Sequence, residues 1–78
     1  MTVTIMAFAS LREAFKQKEF QREVPTDTSI KELAKELELE YSLSLEGSMV
    51  AVNEEYVGTD YILKDNDVLA LFPPVSGG

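Results

Sequence analysis

The chain has 78 residues, 45% of them hydrophobic, and its fourteen acids against seven bases leave a net charge of −7. That length sets one small domain with a modest core, the apolar share is too high for a disordered chain, and the acidity disfavours nucleic acid, which needs a basic face. With neither Cys nor His, the sequence offers no disulfide framework, no thiolate metal site and no obvious catalytic cluster.

Thr2-Val3-Thr4-Ile5-Met6-Ala7-Phe8 is rich in β-branched and aromatic residues and predicts a first strand. Ser10 and Glu13 stand at capping-box spacing. They predict a short helical turn with Ser10 as N-cap and Leu11, Ala14 and Phe15 turned inward. Phe20 to Val24 alternates apolar and polar residues, as a half-exposed second strand does, and Pro25 ends it. Thr26-Asp27-Thr28-Ser29 then supplies N-cap candidates, with Ser29 and Glu32 again at capping-box spacing. Ile30, Leu33, Ala34 and Leu37 fall at i, i+3, i+4 and i+7, which predicts the main helix, running to about Leu39. One of its faces should meet a sheet, while Lys31, Glu32, Lys35 and Glu36 cover the other.

Residues 41–48 read as a loop anchored by Leu43 and Leu45. Met49-Val50-Ala51-Val52 predicts a third strand, Asn53-Glu54 a tight turn and Glu55-Tyr56-Val57 a short return strand. Gly58-Thr59-Asp60 breaks it, and Asp65-Asn66-Asp67 makes another turn. Val68-Leu69-Ala70-Leu71-Phe72 is a continuous apolar run, expected to be buried on both faces at the centre of the sheet. A buried last strand lies most easily beside the first and parallel to it, and the long helix supplies the crossover this needs. The expected fold is therefore α+β: a β-grasp (ubiquitin-like) mixed sheet over residues 1–72 with one main helix packed on it, and an extended tail over residues 73–78.

The tail is the most informative segment. Pro73 and Pro74 have no N–H, so they cannot extend the ladder, and their fixed φ favours a polyproline-like stalk. At ~3.1 Å per residue the six residues reach roughly 18 Å. Stiffness lowers the entropy lost on capture in a pocket. Ser76 stays small, and Gly77-Gly78 form the narrowest tip a peptide allows. The α-carboxylate of Gly78 is then the best candidate for chemistry. It ionises with a pKa of about 3.3–3.7, so at neutral pH it is a poor electrophile and must first be activated. Adenylation by ATP is the usual route. The chain has no phosphate-cradling glycine loop, so the activating enzyme must be a separate protein.

Leu69-Ala70-Leu71-Phe72-Pro73-Pro74-Val75-Ser76-Gly77-Gly78 resembles the C-terminus of the molybdopterin synthase small-subunit family of sulfur carriers. Ala51-Val52-Asn53 before a tight turn, Leu63 followed by Asp65 and Asp67, and Phe8-Ala9 with Arg12-Glu13 add to the likeness. Many relatives have Asp-Gly-Asp where this chain has Asp65-Asn66-Asp67, and Asn suits the same turn. The resemblance implies a subunit of a sulfurtransferase with no catalytic side chains of its own and no bound cofactor. Gly78 would be adenylated by a ubiquitin-activating-type adenylyltransferase using ATP. A sulfurtransferase would supply persulfide sulfur to give a thiocarboxylate. The tail, from Phe72 through Pro73, Pro74, Val75, Ser76, Gly77 and Gly78, would then enter the synthase large subunit, where sulfur passes to cyclic pyranopterin monophosphate in molybdenum cofactor biosynthesis. The implied assembly is a heterotetramer.

Rival readings share the same tail: a sulfur carrier for thiamine or another pathway, a ubiquitin-like modifier conjugated through Gly78, or an interaction domain with an inert end. The apolar runs reach only about five residues, too short to span a membrane, and a basic start followed by an apolar stretch is missing, which argues against a secretory signal. A cytoplasmic location is the expectation. Phe72 admits two roles, docking at the root of the tail or core at the end of a buried strand, and the apolar run favours core. Glu36, Glu38 and Glu40 read as a solvated face. Asp65 and Asp67 read as turn residues rather than metal ligands, so no metal site is expected. Tyr41, Tyr56 and Tyr61 are expected on the rim, ring inward and hydroxyl to water.

Overall fold

A computed structural model describes residues 1–74. The β-branched N-terminal run forms β1 (Thr2–Ala7), whose alternation buries Val3, Ile5 and Ala7 and leaves Thr2, Thr4 and Met6 on the other face. It pairs antiparallel with β2 (Glu19–Glu23) and parallel with β5 (Val68–Phe72). Beyond β5 come β3 (Met49–Val52) and β4 (Glu55–Val57), giving the order β2-β1-β5-β3-β4. The parallel centre requires a crossover, and α2 (Ile30–Tyr41) lies within it. This is the mixed, helix-covered β-grasp sheet expected from the order of elements.

The start of α2 is fixed by local chemistry. The Ser29 hydroxyl accepts from the Glu32 amide at 3.1 Å, and the Glu32 carboxylate accepts from the Ser29 amide at 3.0 Å. Two otherwise unpaired helix-start donors are thereby satisfied. Replacing Ser29 by Ala should cost about 0.5–2 kcal/mol of stability, read from the denaturant midpoint. Ile30, Leu33 and Leu37 from this helix meet Val3, Ile5, Leu69, Leu71, Val50 and Val52 from the sheet in one core. Each such side chain contributes roughly 1.5–3 kcal/mol on full burial. The loop after β4 is tied to the helix start: the Ile30 amide donates to Tyr61, that of Lys31 to Thr59, and that of Leu63 to Thr28.

Three expectations need correction. The short helix α1 (Ser10–Phe15) includes Ser10 as its first residue, and no side chain caps it. Ala9 takes the cap position at φ 52°, so the chain turns into the helix one residue earlier and Ser10 faces solvent. Leu11 and Phe15 are buried, whereas Ala14 is exposed, because a helix of under two turns buries only its narrow i, i+4 row. The acidic stretch on α2 is more than a solvated face. Glu40 grips Arg22 of β2 through two bonds of 2.7 and 2.9 Å, and Glu38 accepts the Leu45 amide at 2.7 Å.

The third correction concerns β5, which is central but covered on one side only. Leu69 and Leu71 are buried under the helix, while Val68, Ala70 and Phe72 remain half-buried on the opposite face. Among the described residues the one long helix lies on the first face, and no further layer lies over the second.

The Arg22 hydrogen bond holds the Glu40 carboxyl below its ordinary value of 4.5. A depressed folded-state pKa means the stabilisation is present above the unfolded carboxylate range and is lost as pH falls through the folded value. Urea midpoints measured against pH should therefore drop below about 4.5, and Glu40→Gln should flatten that part of the acid limb.

Candidate functional site

Strand register decides what the uncovered face presents. Met6 pairs with Ala70, Ala70 with Ala51, Ala51 with Tyr56, and Phe72 with Met49. Paired residues share a face, so these side chains form an apolar band across β1, β5, β3 and β4. The ring of Phe8, just past β1, stacks on Phe72 with centroids 4.8 Å apart and planes 10° from parallel. Tyr56 leans on the same ring at 6.0 Å. A shallow groove of about 620 Å³ runs between Met6, Phe8, Ala51, Tyr56, Ala70 and Phe72. Tyr56 is 67% exposed and Met49 45%; large apolar side chains left open together mark a contact surface. Acidic groups rim it, with Glu54 at one end and Glu19 and Glu23 on the β2 side, where they pair with Met6 and Thr2.

Phe72 is therefore a member of this open face and not a core residue. The reason is parity: Leu69 and Leu71 point to the helix, so Phe72 points away. Of the three tyrosines, Tyr41 keeps its ring among Phe15 and Phe20 and accepts from Gln17 at 3.1 Å. Tyr61 is half-buried, with its hydroxyl directed at Asp67. Both hydroxyls thus meet protein groups where water was expected, and Tyr56 departs from the rim reading altogether, lying on the face.

The start of β5 is pinned by Asp67, which is 5% exposed. Its carboxylate accepts from Asn53 Nδ2 at 3.0 Å and from the Lys64 amide at 2.8 Å. Asn53 in turn accepts the Val68 amide at 3.1 Å. The β3–β4 turn, with Asn53 and Glu54 both at positive φ, is thus held to the strand that carries the tail. Asp65 accepts the Thr2 amide at 2.8 Å. Both acids serve the turn. Among the described residues, no group of three His, Cys, Asp or Glu side chains is placed to hold a metal ion, and no helix is long and apolar enough to cross a membrane.

Phe72 makes the last ladder pair of β5, with Met49. Pro73 follows half-buried and Pro74 exposed. The chain therefore leaves the sheet beside the aromatic end of the open face. Val75, Ser76, Gly77 and Gly78 lie outside the described residues. The sequence reading missed Phe8, Tyr56 and Met49 as site residues. Their signal was the register itself, since Phe8 reaches Phe72 only once Ala7 pairs with Leu71.

The fold and its proline-led exit define a ubiquitin-like β-grasp domain. It shares that fold with the small archaeal modifier protein 1 of Haloferax volcanii, at a TM-score of 0.81, 22% identity and coverage of 95% of this chain and 98% of the other. The chain belongs to the ThiS family, whose profile matches residues 5–78. It is 37% identical to the molybdopterin synthase sulfur carrier subunit of Dictyostelium discoideum, over 95% of this chain and 93% of that one. It is also similar to a chain in a protein–protein complex of subunits 1 and 2 of molybdopterin-converting factor from Helicobacter pylori, with a TM-score of 0.71, 30% identity and full coverage of both chains. The family likeness read from the tail and the β3–β4 turn is thereby shown.

Proposed function

We propose that the protein is the sulfur-carrier subunit of a molybdopterin synthase, loaded at the carboxylate of Gly78. The observation that carries this is positional: the chain leaves the central strand through Pro73 and Pro74 at the edge of an uncovered aromatic face. A partner can hold the body by that face while the thin end enters its active site. Relatives named as sulfur carriers, and the paired subunits of the Helicobacter pylori complex, support the same reading.

The chemistry is that of an activated carboxylate. Attack of Gly78 on the α-phosphorus of ATP, in a separate adenylyltransferase, gives an acyl-adenylate and releases pyrophosphate. A persulfide sulfur from a sulfurtransferase displaces AMP, and a thiol then reduces the resulting acyl disulfide, leaving a thiocarboxylate. In the large subunit this sulfur passes to cyclic pyranopterin monophosphate, and hydrolysis restores the carboxylate. The domain's contribution is to dock and to aim. Its net charge of −7 speeds encounter with a basic partner surface and would make association fall with salt.

Intact mass measured after incubation with the activating enzyme, ATP and a persulfide donor should rise by the difference between sulfur and oxygen, localised to the C-terminal peptide. An unchanged mass alongside active machinery would overturn the proposal. A carrier for thiamine or another product would load in the same way, and complementation of pathway mutants separates the two.

A further inference from the structure

We infer that Gly47 and the loop behind it form a buttress that aims the tail, making Gly47 and Glu38 positioning residues for the loading reaction; this rests on the carrier reading above. Pro73 and Pro74 donate no backbone hydrogen bond, and among the described residues no ladder pair beyond Phe72 fixes the exit direction. Packing has to do so. Gly47 is seated against Pro74, and a Cβ added to it would lie 3.3 Å from Pro74 Cβ and 3.9 Å from its Cγ. The backbone of Gly47 sits at φ 78°, so two independent constraints ask for glycine there.

The loop that presents Gly47 is itself braced. The Glu38 carboxylate accepts the Leu45 amide at 2.7 Å, and the Leu45 side chain is buried in the core. The Ser48 amide closes the turn on the Leu45 carbonyl at 3.0 Å, and the Leu43 amide is held by the Glu38 carbonyl at 3.2 Å. A continuous path therefore runs from α2 through Glu38, Leu45 and Gly47 to Pro74. None of these groups lines the aromatic face, so aim and docking are built from separate parts.

The separation gives the test. Gly47→Asn keeps the left-handed backbone within reach, since Asn tolerates it better than other residues with a side chain, while a new Cβ presses on Pro74. Glu38→Ala removes the brace from the far end without touching the tail. With adenylyltransferase, ATP, a persulfide-bearing sulfurtransferase that displaces AMP and a thiol reductant, pyrophosphate release is measured against carrier concentration. Both variants should keep the wild-type KM, because the docking face is untouched, and lose about tenfold to a hundredfold in kcat, as a misaimed reacting end does. Circular dichroism of each variant fixes that the fold is retained. If Gly47→Asn unfolds, Glu38→Ala carries the test alone. A folded variant with kcat within about twofold of wild type, or one whose KM rises while kcat holds, would overturn the buttress. Wild-type protein that yields no pyrophosphate would instead sink the carrier reading, so the two failures are distinct.

Discussion

Leu71→Ala should lower the unfolding free energy by about 2–5 kcal/mol, the range for emptying a well-packed aliphatic site. Leu71 is 1% exposed, pairs with both Ala7 and Val50, and sits under the helix at the middle of the sheet. A domain of this size has roughly 5–15 kcal/mol in total, so the loss takes a large fraction of it. Each kcal/mol moves the midpoint by about 4–8 °C in a small domain. Scanning calorimetry or a urea titration reads the effect directly. Because Leu71 lies one residue from the docking face, the variant should also bind its partner weakly at high temperature and regain affinity on cooling, as a folding defect does.

Phe72→Ala should behave in the opposite way. Its ring stacks on Phe8 and touches Tyr56 on the open face, so its removal costs about 0.5–1.5 kcal/mol for each aromatic pairing, beyond the area of a half-buried ring, in the free domain. Binding should suffer far more. A central aromatic at an interface is worth about 2 kcal/mol or more on truncation, a weakening of at least about 30-fold. Calorimetric titration with the large subunit, run beside a stability measurement, separates the neighbours: Leu71 moves stability first, Phe72 moves affinity first. Equal affinity for Phe72→Ala and wild type would remove the open face from the account.

That two adjacent residues divide in this way shows what the sequence could and could not convey. The capping box at Ser29 and the i, i+3, i+4, i+7 apolar stripe made α2 readable, because both signals are local. The parallel pairing of β1 with β5 followed from the continuous apolar run at the end of the chain and the crossover before it. The same run misled on burial. An unbroken apolar strand looks the same whether its second face is covered by another layer or awaits a partner, and only the layer count tells them apart. Likewise Ser10 and Glu13 have capping-box spacing, yet the turn at Ala9 preempts the cap. The end of the ladder at Phe72 was legible from Pro73 and Pro74, which have no N–H; the contact of Gly47 with Pro74 was not, since the two are neighbours only in space.

The central claim is that the folded body presents Gly78 for loading. Its most direct test is deletion of Gly78 alone, assayed by intact mass after the loading reaction and by restoration of molybdenum cofactor in cells lacking the native carrier. The account predicts an unchanged melting curve, retained binding through the open face, no sulfur gained and no cofactor made. A truncated chain that still takes up sulfur, or still restores the cofactor, contradicts it.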